Sequence, residues 1–233
     1  MKLLAIYQYA APFVLFPLSY WLWLQRYGGE HRLVWAALAM PVLFAYLIPG
    51  IGTNCLHLWE LNTRLRLGKF RPHHGFVFGT ATSLFALLLP LPQVGAPILI
   101  EAARAGILLC ALLGFWNWLY DLHAIRVGFI RVYTPLSLSG AGPEAVTTEY
   151  APILFGVFGF VYGVFLVANH YLLAAQGRWD LYWWLVGGEN LLTLGLPVAA
   201  YVLASWLRHG KTGLEPYRRE KPERPPEIDK ERN

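Results

Sequence analysis

Apolar residues run along this chain in long blocks, not in the alternation of a half-buried strand. Roughly residues 5–25, 33–53, 75–93, 98–120, 151–174 and 181–207 form six such blocks. Each meets the length of about 20 residues that a membrane-spanning helix requires. The expected fold is therefore all-α, a bundle of six transmembrane helices over residues 1–209. The first block runs on past Ala10-Ala11-Pro12, a poor cleavage site, and reads as a retained helix instead of a removed signal peptide. Pro90, Pro92 and Pro97 separate the third block from the fourth and predict a tight helical hairpin. Pro49-Gly50-Ile51-Gly52 is expected to kink or end the membrane part of the second helix, with Asn54 to Leu67 continuing it along the interface.

Composition agrees with this pattern. Hydrophobic residues make up 56% and charged residues 14% of the 233 positions, and mean hydropathy is +0.41. An ordinary soluble domain carries roughly 25% charged residues. Disordered, collagenous and disulfide-stapled classes are excluded. The two cysteines, Cys55 and Cys110, make no framework and read as small buried hydrophobes.

Charge adds direction. With six crossings both termini share one side, and that side carries 15 Lys and Arg against 4 on the other. Cytoplasmic loops are the ones rich in Lys and Arg, so both termini are expected to be cytoplasmic, in a multi-pass protein of the cytoplasmic (inner) membrane. Trp21, Trp23, Trp179, Trp183 and Trp184 then lie near the far interface, where an aromatic belt belongs. Residues 210–233 have almost no apolar side chains and mix both signs of charge, which predicts a flexible cytoplasmic tail. The formal net charge of +5 calls for anionic lipid headgroups as partners and for no nucleic acid.

Gly75-Phe76-Val77-Phe78-Gly79 and Gly159-Phe160-Val161-Tyr162-Gly163 echo one another, each following a Trp-plus-polar cluster and a basic loop. Both carry the Gly-xxx-Gly spacing that lets helices approach closely, and they suggest either a parallel repeat or close packing alone. No Lys lies inside a block, which excludes a retinal Schiff base. No His lies in mid-block, which argues against a buried b-type haem.

Polar residues gather at the cytoplasmic ends. Asn54, His57, Glu60, Asn62 and Arg64 follow the second block; Arg71, His73 and His74 open the third; Asn117, Asp121, His123 and Arg126 close the fourth. On a continuous helix His57, Glu60 and Arg64 share one face, and Asn117 and Asp121 share another. Asp121 and His123 diverge unless the helix ends near Tyr120. Neutral imidazole with carboxylate is the ligand set of zinc and non-haem iron, so His57, Glu60, His73, His74, Asp121 and His123 are candidate metal ligands. The same groups with Asn117 are candidates for metal-free acid–base work, and Arg64 and Arg71 for holding a headgroup. The expected function is a metal-dependent or acid–base enzyme acting on a lipid-like or isoprenoid substrate. One alternative is a non-catalytic subunit or assembly factor docked to other membrane subunits. A second is a small transporter using Glu189, which with Asn190 lies inside the sixth block near Asn169 and His170.

Overall fold

The computed structural model describes residues 2–67, 71–92, 95 and 97–215. Helix α1 (Lys2–Arg26) opens the chain and α2 (His31–Asn54) returns alongside it. Strand β1 (Trp59–Leu61) precedes the short helix α3 (His74–Ala86), and α4 (Ile98–Arg126) leads to strand β2 (Ile130–Val132). A single helical turn, α5 (Pro135–Leu138), joins β2 to α6 (Pro143–Ala175), and α7 (Trp179–His209) closes the bundle. Gly210, at φ 66°, ends α7 by donating its N–H to the Trp206 carbonyl at 2.8 Å, the left-handed cap that glycine adopts without strain.

Five of these helices, α1, α2, α4, α6 and α7, are long and apolar enough to cross a membrane. Their outer faces are apolar as well. Phe13 is 80% exposed, Leu99 83% and Trp184 81%, a coating that only lipid tails or another protein would solvate well. These are the features of a multi-pass membrane protein. Trp23 departs from the expected belt: it is buried, and its Nε1–H donates to the Ser83 carbonyl at 3.0 Å.

The third apolar block is the exception in length. Its helix, α3, has 13 residues and ends before Pro90. Its two ends are nevertheless pinned to the two ends of α1. At the first end Tyr7 Oη donates to the Val77 carbonyl at 2.5 Å, and His73 Nε2 meets Gln8 Oε1 at 2.9 Å. At the other, the Arg26 guanidinium donates to the carbonyls of Leu87 and Leu89. Those carbonyls are left over by the helix end, so α1 supplies what the missing turn does not.

The expected interfacial extension of α2 is also absent. Proline does not stop the helix at Pro49, where Thr53 Oγ1 takes up the Pro49 carbonyl at 2.6 Å, and it runs on to Asn54. It then breaks sharply: His57 adopts φ 53°, a left-handed conformation uncommon outside glycine. After the break the chain is extended. Trp59, Glu60 and Leu61 pair antiparallel with Val132, Arg131 and Ile130.

This pairing joins two like halves. Helix, strand, helix runs α2–β1–α3 in the first and α4–β2–α6 in the second, apart from the α5 turn. The echoed glycines do equivalent work in each. A Cβ on Gly79 would come within 2.8 Å of the Val42 backbone on α2, and one on Gly159 within 2.4 Å of the Leu109 carbonyl on α4. An aromatic core, Phe44 against Phe158 at 4.3 Å with Phe78 beside them, ties the halves together.

Candidate functional site

The strand end of the bundle holds a partly open cavity of about 260 Å³. Phe44 and Ile48 of α2, Val77, Phe78 and Ala81 of α3, Trp116 of α4, and Leu154 and Phe155 of α6 give it apolar walls. Trp59, Phe129, Ile130 and Val132 close it at the strands. For scale, a dry apolar cavity of roughly 150 Å³ holds benzene, so this chamber takes a larger apolar group.

A few polar groups are set into these walls. Asn117, Tyr120 and Asp121 share one face of α4, at i, i+3 and i+4, and all three line the chamber. Tyr150 Oη on α6 donates to Asp121 Oδ2 at 2.8 Å. The Asn117 Nδ2 donates back to the Leu113 carbonyl at 2.8 Å. The Tyr120 hydroxyl is buried and has no hydrogen-bond partner among the described residues. Such a group is costly to bury unpaired, and a polar atom on a bound molecule would satisfy it. Tyr7, Gln8, Thr134, Tyr201 and His74 add to the polar lining, with His74 edge-on to Trp59 at 5.5 Å.

The structure separates the six candidate metal ligands. His57 is exposed, its ring turned back to the Thr53 carbonyl at 3.1 Å. Glu60 lies on β1, accepts from Tyr133 Oη at 2.7 Å and faces Arg131 across the strands at 3.7 Å. Burial, then the hydrogen bond to Glu60 and the charge of that carboxylate, raise the Tyr133 phenol above its ordinary pKa. His73 is buried against Gln8 and Tyr9; it does not itself line the chamber, as Gln8 and its neighbour His74 do. Helix α4 continues to Arg126, so Asp121 points inward and His123 outward. Among the described residues no three His, Cys, Asp or Glu side chains gather in a way that could hold a metal ion. The physical reason is the break at His57 and the strand after it, which turn His57, Glu60 and Arg64 in different directions.

Arg64 is exposed, whereas Arg71 reaches the Leu61 carbonyl at 3.4 Å and lines a small pocket with Asn54, Glu60 and His74. That pocket shares Trp59 and His74 with the chamber. Lys69 lies outside the described residues, as does the tail from residue 216. At the opposite end of the bundle Glu189 is buried and accepts from Asn169 Nδ2 at 3.0 Å. Asn190 is turned to its own helix, donating to the Val186 carbonyl at 2.6 Å.

Sequence reasoning weighed imidazoles and carboxylates and passed over the phenols. Tyr120 was legible, because it shares a helical face with Asn117 and Asp121. Tyr7, Tyr150 and Tyr201 come from other helices and carried no local signal.

The fold and the chamber together define a helical membrane protein with a mostly apolar, partly open cavity carrying a carboxyl–phenol pair. Comparison with known protein families, with curated proteins and with solved structures found no match.

Proposed function

We propose that this is a membrane-embedded proton-transfer enzyme acting on a lipid-like, isoprenoid-type molecule held in the chamber. The observation that carries this reading is the hydrogen-bonded pair of Asp121 and Tyr150, set into an otherwise apolar, aromatic wall. A carboxyl within reach of a carbon chain is a general acid and, after giving up its proton, a general base.

The step needs no co-reactant. Asp121 gives its proton to one carbon of a C=C bond. The π electrons form the new C–H bond and leave a cation on the neighbouring carbon. The faces of Phe44, Phe78, Trp116 and Phe155 attract that charge. Loss of a proton from an adjacent carbon to the Asp121 carboxylate makes a new double bond and restores the acid. Tyr150 keeps the carboxyl oriented throughout. Asn117 and Tyr120 meet a polar end of the substrate, and Arg71, beside the chamber, attracts an anionic headgroup.

The membrane setting follows the same reading. We take α3 as the sixth crossing, because its ends are held level with both ends of α1. Both termini then lie on the strand side, and the basic residues there support a cytoplasmic location for that side, which we take to be the inner face of the cytoplasmic membrane.

The test uses the full chain in lipid nanodiscs made from total membrane lipid, incubated in heavy water. Mass spectrometry then reads deuterium bound to carbon in the recovered lipids. Wild type is expected to label one lipid fraction and Asp121→Asn to leave it unlabelled. Equal labelling by both proteins, or none by wild type, overturns the reading.

A further inference from the structure

The end of the bundle away from the strands holds a second buried carboxyl that the proposed chemistry does not use. Glu189 and Asn169 are each 1% exposed. Asn169 stands at the point where α6 widens into the π-helical segment His170–Ala175, and Gly188 of α7 lies beside the Phe165 ring there. One hydrogen bond joins the two side chains, from Asn169 Nδ2 to Glu189 Oε2 at 3.0 Å. Each side chain has one oxygen left over. Glu189 Oε1 and Asn169 Oδ1 are both buried and without a hydrogen-bond partner among the described residues.

Among the described residues no cationic side chain forms an ion pair with Glu189. At the end of α1 Arg26 donates to the carbonyls of Leu87 and Leu89, and in the turn after it the Tyr27 ring stacks on His170. From α2, Arg32 is held by Glu30, and His31 meets Tyr20. From α6, Tyr162 donates to the Ala37 carbonyl at 2.5 Å, and His170 leaves Nδ1 unpartnered. From α7, Tyr182 donates to the Arg32 carbonyl at 3.2 Å. An ionised carboxylate in such a place is costly, and two acceptor oxygens cannot satisfy each other without a proton.

We propose that Glu189 and Asn169 form a proton-binding site between α6 and α7, in which a proton on Glu189 Oε1 is shared with Asn169 Oδ1. With the Nδ2–Oε2 bond already present, this proton closes an acid–amide ring and satisfies both leftover oxygens at once. The ligand is a proton, the site has one carboxyl, and its loading fastens α6 to α7. Release of the proton leaves two unsatisfied acceptors side by side and loosens that contact.

Infrared spectroscopy of the full chain in phosphatidylcholine nanodiscs at neutral pH tests this. An un-ionised carboxylic acid has a C=O stretch above the amide band that shifts in heavy water. The band is expected in wild type and in Asp121→Asn, and its Glu189 component is expected to vanish in Glu189→Gln. An acid-carbonyl region unchanged by Glu189→Gln overturns the proposal. A second measurement needs no substitution: wild type made with heavy carbon in its glutamate side-chain carboxyls. Part of the acid band is expected to shift to lower frequency, and a band that does not move overturns the proposal equally.

Discussion

Asp121 and His123 lie two positions apart on one helix and end in different surroundings, one in the chamber wall and one exposed outside it. In the proposed function the chemistry belongs to the Asn117–Tyr120–Asp121 face, which lines the chamber. A positioned acid or base contributes typically 10²–10⁴-fold to a rate, so Asp121→Asn is expected to lower carbon-bound deuterium incorporation by about that factor. Tyr150→Phe removes one hydrogen bond to the carboxyl, of about 1–2 kcal/mol, and is expected to slow the same assay roughly tenfold. His57→Ala and His123→Ala should leave it unchanged. A loss in either comparable to that of Asp121→Asn would return the site to the imidazoles. The helical spacing made the α4 face readable from the chain alone. The grouping of His57, Glu60 and Arg64 was not readable, because it assumed a helix where a positive φ at His57 and a strand intervene. Polar residues after Gly52 fit either geometry, and only the pairing with β2 decides between them.

The elements are held by close backbone approach within each half and by polar caps between them. A side chain on Gly159 would drive into the Leu109 carbonyl of α4, whereas one on Gly187 would meet nothing within 4 Å. Gly159→Val is expected to lower stability by about 1–3 kcal/mol, the usual range for overpacking, and Gly187→Ala to leave it unchanged or raised. Thermal unfolding in detergent checks both, and equal melting of the two variants would remove the packing argument. Arg26 carries a different load. Its charge-assisted bonds to the Leu87 and Leu89 carbonyls are of the class that contributes about 1.5–3 kcal/mol, so Arg26→Met should destabilise by roughly that amount. The echoed Gly-xxx-Gly segments were legible as a sequence feature. The strand pair that joins the two halves was not, since three residues per strand leave no periodicity to read. The short span of α3 was hidden for a related reason: its apolar block is long enough, but Pro90 and Pro92 leave its last residues in turns capped from α1.

For the whole molecule, apolar blocks and the asymmetry of Lys and Arg made a multi-pass bundle legible, because both follow from the cost of placing polar groups in lipid. The chamber was not legible, since its walls come from helices far apart in sequence. The six-crossing reading has its own test. Cys55 is exposed at the strand end, and a membrane-impermeant maleimide should reach it only from the side that carries the charged tail. Gln176→Cys in a Cys55→Ser background should be labelled only from the other side; labelling of both from one side would mean an even number of crossings between them and would remove α3 as a crossing.

The chamber's occupant is the most direct test of the account. Full-length protein purified in mild detergent is extracted with solvent, and the extract is quantified by mass spectrometry. One apolar, lipid-like species is expected in near-stoichiometric amount with wild type, and its loss in Ala81→Trp, whose indole fills the cavity. An extract with no such species, or with the same amount from both proteins, would contradict it.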